Sequence, residues 1–538
     1  MPTKVIDNFT GRLTRYVNGD MNSGFSKYTS TFGVDYFSKP GNLTFQEEAV
    51  QIDAAGSVIK DLIMAGKERV ESGISYLYAV GHTGRVYKIQ VNDPSNYNSN
   101  YDNPVLLATI TSGTPTFTRG GSVDFYGSTE RIYIGHDKGV TQLDFDGTNE
   151  TVVGSAGSWT QNVPRPLKQF IGKLYAGNGS NIAEIDSTLS VTDYTKLSPG
   201  FPDNTQVRDL DVSVDGTYIQ AVVTRLVLGD ITSATPDSGS ISNSDSWIFQ
   251  WNGTDAGYTA YETYSAYSLT ANFLFGSYQY VFGYDVTGSV LFSAGDKVIS
   301  PVLTNAPMPN TMGSGTNMIG WGATETYNLT SKTVGTGGVL RMSQFIYGKT
   351  DSEIPEGWWR QFAMQATSPE TDIVRVPFGA LVSNLSIGSS SNGYLAGIFG
   401  FGKYYFSTLE TSAAPTTKYR FYKWYPVPTT LGTTMAGMYE TQTQLFSKKQ
   451  AIKEMRIYTE PLVANNEFDI DLIGSDGNSI TNSNKTFKVG TNVTAGEDLI
   501  TYSEDIAPTY ALGLRITNAG SANWTCKKVE IDLETVKS

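Results

Sequence analysis

Leu77-Tyr78-Ala79-Val80-Gly81-His82 leads through Gly84 into Val86-Tyr87-Lys88-Ile89. Ile132-Tyr133-Ile134-Gly135-His136 leads through Gly139 into Val140-Thr141-Gln142-Leu143-Asp144. Leu174-Tyr175-Ala176-Gly177-Asn178 leads through Gly179 into Ile182-Ala183-Glu184-Ile185-Asp186. Each copy is a strand of small and apolar residues, a glycine-bearing turn, and a strand in which apolar and polar residues alternate. A hairpin recurring every 40 to 60 residues or so predicts a β-propeller, in which small sheets bury their faces only by stacking on one another.

Working outward, the pattern continues in weaker form. Val207 to Val214 sets Leu210, Val212 and Val214 against Asp209, Asp211 and Ser213, then turns at Asp215-Gly216 into Tyr218 to Val223. This strand–Asp-Gly–strand pattern resembles blades of WD-type propellers in architecture, although the WD dipeptide itself is missing. Ser246 to Gly253 closes that unit. Further hairpins are predicted at Tyr278–Phe292, Val339–Phe345 and Tyr394–Phe406, which makes about seven blades. Val58 to Gly66, before the first hairpin, reads as a strand. Two long stretches, Gly229 to Asp245 and Asn305 to Gly335, exceed ordinary blade connections and are expected to be interface or functional loops.

The flanks differ in composition. Residues 1–50 are rich in Asn, Gly, Ser and Tyr with no repeat, and too polar to fold alone. They are read as an extended N-terminal arm lying on a neighbouring surface. A charged junction, Ser447 to Glu454, ends the propeller at residue 446. Residues 447–538 then hold short alternating runs such as Phe468-Asp469-Ile470-Asp471-Leu472-Ile473 and Lys528 to Glu534, the pattern of a small antiparallel β-sandwich. The fold class is therefore all-β: arm (1–50), propeller (51–446), sandwich (447–538).

Composition narrows function. Only 17% of the 538 residues are charged, against roughly 25% in an average soluble domain. The net charge of −13 and the absence of a Lys/Arg cluster argue against gripping a phosphate backbone. A surface past which DNA slides would be acidic. The single cysteine, Cys526, excludes an internal disulfide and reads as a small buried hydrophobe. The N-terminal residues lack the apolar core of a secretory signal, and no run of about 18 apolar residues predicts a membrane span.

The residue spacing shows no catalytic constellation. His82 and His136, the two histidines, sit at equivalent turns about 10 Å or more apart, too far to share a metal, and Asn178 takes that place in the third copy. Asp144 to Glu150 superficially resembles a calcium loop, but Gln142 stands where another acid is needed, and an Asp-Gly turn explains it. A propeller glycosidase of the sialidase kind needs an arginine cluster, an acid and a nucleophile in its funnel. Here Ser213-Val214-Asp215-Gly216-Thr217-Tyr218 falls short of the sialidase box. Arg165, Arg208, Arg225, Arg341, Arg360 and Arg375 show no motif. Asp209 and Asp211 read as a blade-edge pair. Trp358-Trp359-Arg360 and Tyr419 to Tyr425 suit sugar stacking, a subunit contact or blade packing equally. No catalytic, cofactor-binding or metal-ligating residue is assigned, and no cofactor is expected.

Taken together, the Tyr78, Tyr133 and Tyr175 hairpins and the run Lys453-Glu454-Met455-Arg456-Ile457-Tyr458-Thr459-Glu460-Pro461-Leu462, answered by Lys528-Val529-Glu530-Ile531-Asp532, resemble virion structural proteins of tailed bacteriophages. The likeness is to propeller-bearing tail proteins, including the nozzle-type proteins of short-tailed phages. It implies a non-enzymatic subunit of a multi-copy ring around the DNA exit channel, assembled in the host cytoplasm. Its partners would be identical subunits, portal-adaptor and other tail proteins, and passing DNA. A tail adaptor, a head decoration or a host-surface glycan-binding adhesin remain open, with a glycoside hydrolase as the enzyme alternative.

Overall fold

The computed structural model describes, with short gaps, residues 58–91, 104–193, 200–225, 245–303 and 437–461; elsewhere it describes mainly strands. Seven four-stranded antiparallel sheets follow one another along the chain. Blade 1 is Ile63–Glu71, Ile74–Gly81, Arg85–Val91 and Pro104–Thr109, from hub to rim. Blade 2 is Ser122–Tyr126, Arg131–His136, Gly139–Leu143 and Thr151–Val152. Blade 3 is Leu167–Phe170, Lys173–Gly177, Ile182–Ile185 and Val191–Asp193, and blade 4 is Gln206–Val212, Ile219–Thr224, Asp245–Trp251 and Thr259–Ser265. Blades 5 and 6 occupy Ser268 to Leu303 and Thr333 to Val376. Blade 7 consists of Gly393–Phe399, Tyr404–Thr411, Thr417–Trp424 and, as its outermost strand, Val50–Ile52. The fold is a β-propeller with a β-sandwich.

The repeated Leu-Tyr-Ala signature follows from stacking. In the second strand of a blade, alternate residues face opposite neighbours. Tyr78 and Val80 join the core between blades 1 and 2, while Leu77 and Ala79 join the core between blades 7 and 1. Ile132 and Ile134 face blade 1, whereas Tyr133 faces blade 3. Leu174 and Ala176 face blade 2, and Tyr175 faces blade 4. The tyrosine is thus the side chain that each of these blades sends to the next. Tyr78 meets Phe125 and Phe145 of blade 2 edge-on, and Tyr175 meets Trp251 of blade 4 at an interplanar angle of 89°. The glycine closing each signature has its own reason. A Cβ on Gly81 would collide with the Asp61 carboxylate, and one on Gly135 with the Arg165 carbonyl oxygen and the Ser122 hydroxyl.

The last blade closes on the first. Ile52 and Phe421 of blade 7 share one buried cluster with Ile59, Ile63, Leu77, Ala79, Tyr87 and Ile89 of blade 1, and the two innermost strands lie side by side.

Twelve strands form the sandwich. Thr443–Thr459, Thr525–Thr535 and Ile506–Asn518 are its long members. Five of the twelve come from the first 45 residues. Thr3–Ile6 and Leu43–Phe45 pair with Thr525–Thr535, Asn18–Gly19 with Thr443–Thr459, Tyr28–Phe32 with Gly437–Thr441, and Val34–Asp35 with Leu43–Phe45. Ile6, Phe9, Leu43 and Phe45 sit in the same core as Tyr439, Ile457, Leu512, Leu514 and Ile531.

Four sequence expectations change here. The described parts of residues 1–50 are strands of their own chain's sandwich, and residues 50–52 complete a blade. Their polar composition is no obstacle, because the sheets they join supply the backbone partners and the core. Gly437–Thr441 already belongs to the sandwich, ahead of residue 447, through pairing with Ile506–Asn518. The hairpin at Val207–Val223 joins the first and second strands of blade 4, whereas the Tyr78, Tyr133 and Tyr175 hairpins join the second and third. Within Val58 to Gly66, the strand begins only at Ile63. Residues 226–244 and 304–332, which make up nearly all of the two long loops, lie outside the described residues.

Candidate functional site

The innermost strands line the hub, where propellers most often place chemistry. In blades 1 to 4 these strands carry charges of both signs, and they are joined from blade to blade. The Lys67 ammonium of blade 1 meets the Asp124 carboxylate of blade 2. The Gln169 amide of blade 3 donates to the Phe125 carbonyl oxygen of blade 2. Lys168 of blade 3 lies 2.5 Å from Asp211 of blade 4. The lysines are partly exposed, at 43% and 34%, while the two carboxylates are buried. Asp209 and Asp211 are therefore at the blade edge as expected, but they are enclosed, and the Lys168 pair compensates the loss of water around Asp211. Among the described residues the hub holds two cross-blade ion pairs, between blades 1 and 2 and between blades 3 and 4, with an amide hydrogen bond joining blades 2 and 3.

On the face of the ring formed by the turns between second and third strands, each of the first three blades carries a polar pin. Asp61, fully buried, accepts hydrogen bonds from the Thr83 backbone N–H at 3.1 Å and the Thr83 hydroxyl at 2.5 Å, and is paired with the His82 ring. In blade 2 the Thr116 hydroxyl donates to Asp137 at 3.2 Å. In blade 3 the Thr160 N–H donates to the Asn178 side-chain oxygen at 2.8 Å, and Arg165 donates to the same oxygen at 2.6 Å. Three different chemistries thus fasten the segment before the innermost strand to the same turn. The signal was present in the sequence as His82, Asp137 and Asn178 near the end of equivalent strands, but their partners are 18 to 22 residues upstream.

The histidines are part of this framework. His136 is buried, tilted over Phe117, with Nε2 3.1 Å from the Thr141 hydroxyl and Nδ1 accepting from the Lys138 N–H. Burial, with the nearby Arg165 cation, pushes its pKa down to about 3, so the ring is neutral. Arg165 donates to the Gly177 carbonyl and lies over Trp159, Arg225 pairs with Asp245 at 2.9 Å, and Arg208 is buried in blade 4. Arg341, Arg360 and Arg375 lie on strands of blade 6, as do Trp358 and Trp359, and Tyr419 to Trp424 lie on blade 7 with Phe421 buried. Cys526 is buried in the sandwich core, where the lack of water raises its thiol to about 12.

The Asp144–Glu150 loop is a turn. The Asp146 carboxylate accepts from the Thr148 N–H at 2.9 Å and its hydroxyl at 2.6 Å. Asp186 with Thr188, and Asn252 with Thr254, repeat that arrangement after the third strands of blades 3 and 4. These oxygens are occupied by the turn's own donors. Among the described residues no group of three or more His, Cys, Asp or Glu side chains is placed to hold a metal ion.

The outer face of the sandwich carries a second charged cluster. Arg456 reaches Glu454, Glu530 at 2.9 Å and Asp532 at 2.8 Å, while Tyr458 donates to Glu530. Lys528 and Arg456 together hold the Glu530 carboxyl down at about 2. The Thr3 hydroxyl donates to Asp532 at 2.5 Å, clipping the first strand to this face. The run from Lys453 and its answering run from Lys528 are thus cross-strand neighbours, with Arg456 level with Glu530 and Tyr458 with Lys528.

No family model matches the chain, and no curated protein matches it. Solved structures with some likeness include the β-propeller domain of Cps50 (Swd1) from Myceliophteria thermophila, 7% identical, TM-score 0.38, covering 70% of this chain and 99% of that one. The WD40 domain of Neurospora crassa Pan2 is 8% identical, TM-score 0.38, covering 71% and 97%. A Trypanosoma rangeli sialidase is 9% identical, TM-score 0.32, covering 93% and 97%. The paired sheets themselves, rather than these distant likenesses, establish the propeller.

Proposed function

We propose that the chain is a structural subunit of a tailed-phage virion, a nozzle-type tail protein that assembles in several copies around the DNA exit channel and catalyses nothing itself. The observation that carries this reading is the N-terminal strap. Its strands lie in the sandwich up to Phe45 and in blade 7 from Val50. Five peptide steps of about 3.5 Å bring the two domains within about 17 Å of each other at that point. Such tying suits a body that must keep fixed faces toward its neighbours under load. The cross-blade ion pairs of the hub support the same reading, because each satisfies a charge that a funnel enzyme would leave turned toward substrate.

Electron microscopy of the purified chain tests it. Closed rings with an open centre are the expected result. Single copies that hydrolyse an aryl-sialoside, or that bind a glycan array through Trp358 and Trp359, would replace this reading with the enzyme or the adhesin.

A further inference from the structure

Two exposed apolar patches lie on different domains, and their surroundings have opposite charge. In a meander of four strands, the first and third turns emerge on the same face of the ring. On that face, the tips of blades 1 and 3 expose Val70 (66%), Ile74 (39%) and Ile171 (66%). Ile171 and Gly172 are the two central residues of a tight hairpin between Phe170 and Lys173, both at positive φ, 47° and 69°. That turn favours Asn, Asp or Gly at its first position; a β-branched side chain there is strained. Around these tips stand the turn carboxylates Asp146, Asp186 and Asp215, held below the ordinary carboxylate range by hydrogen bonds from neighbouring Thr and Ser side chains, while the cations of the same tips, Arg69 and Lys173, are already paired with Glu71, Glu130 and Glu184.

The second patch is at the end of the sandwich. Leu445 (38%), Tyr510 (56%) and Val536 (38%) are exposed there. Lys449 lies 5.6 Å from the Tyr510 ring and accepts the Val536 N–H at its carbonyl, and Lys448 beside it is exposed. Two copies of a chain of net charge −13 repel at a distance, so a local positive patch on one that meets acids on the other favours their association.

We propose that copies of this chain associate head to tail, the acidic, isoleucine-tipped turn face of the propeller receiving the lysine-flanked apolar end of the next copy's sandwich. The two patches differ, so the contact is heterologous, the kind that closes into a ring when its rotation permits and otherwise runs on as a filament. This interface rests on the multi-copy reading above and specifies which surfaces make it.

Sedimentation velocity of the full chain, across concentration and salt, decides the matter. The wild type should self-associate, and less so as salt screens the lysines. The double variant Lys448→Glu/Lys449→Glu, and separately Ile171→Asn, should each weaken association about tenfold or more. Ile171→Asn should keep or raise the melting temperature, because Asn fits the turn, so a loss of assembly is not a loss of folding. Assemblies that persist in both variants overturn this interface and leave the multi-copy reading standing. A wild-type chain that stays monomeric at about 100 μM overturns both.

Discussion

The propeller and the sandwich solve the burial problem in opposite ways. Each described core of the propeller is a separate cluster shared by two adjacent blades, and a polar pin recurs in blades 1 to 3. The sandwich has one continuous core, filled by residues from Ile6 to Leu533. A blade therefore depends on its two neighbours, whereas the sandwich depends on both ends of the chain at once. The N-terminal strap couples these two regimes.

The strongest way to break this contrast is to remove residues 1–52. Both domains should fail together, because the sandwich loses five strands and blade 7 its outermost one. Circular dichroism should show no cooperative melt; a truncated chain melting at the wild-type midpoint would refute the coupling. Phe9→Ala should then separate the domains. Phe9 is fully buried against Tyr439, with ring centroids 5.5 Å apart, and its truncation should cost the sandwich about 3–5 kcal/mol. Hydrogen exchange should report that loss in residues 437–536 while blades 2 to 4 stay protected.

Tyr78→Ala, of similar size, should show the local dependence of the propeller. It should loosen blades 1 and 2 by about 3–5 kcal/mol and leave the sandwich unchanged in the same exchange experiment. Gly135→Ala should cost less, about 1–3 kcal/mol, since the backbone near Arg165 must move to admit the methyl group.

A pH titration gives the smallest and most separable effect. His136 in the propeller has a folded pKa of about 3 against an ordinary 6.5, so protons favour the unfolded state. Its contribution is complete above pH 6.5 and declines as pH falls toward 3. Glu530 in the sandwich is also depressed, to about 2 from 4.5, and its contribution is complete above pH 4.5 and declines toward 2. Melting between pH 7 and 5 should therefore weaken the propeller first. His136→Gln should flatten that part of the profile, and Glu530→Gln should not.

How much of this was legible depends on whether a residue's environment is set by its own strand or by a distant one. The Tyr78, Tyr133 and Tyr175 strands are buried on both faces, so they must be small and apolar throughout, and that shows in sequence. Thr141, Gln142 and Glu184 in the third strands are equally buried. Their polarity suggests a wet face only until one sees Gln142 donating to the Tyr133 hydroxyl and Glu184 pairing with Lys173. Val50–Ile52 and Thr3–Ile6 carry almost no signal of their own, being three or four residues long and ordered entirely by sheets hundreds of residues away. The hub pairs are illegible for the same reason. Nothing in the spacing of Lys67 and Asp124, or of Lys168 and Asp211, marks them as partners until the blades are stacked.

The hydrogen bond from Thr3 to Asp532 spans 529 residues. At roughly 5–20 residues per second, the strand carrying Thr3 leaves the ribosome about half a minute to two minutes before its mate exists. For that interval the nascent chain carries unpaired strands and the bare apolar side chains of Ile6, Phe9, Leu43 and Phe45. A chaperone that shields an early polypeptide should therefore raise the yield of soluble protein, and slower translation should lower it.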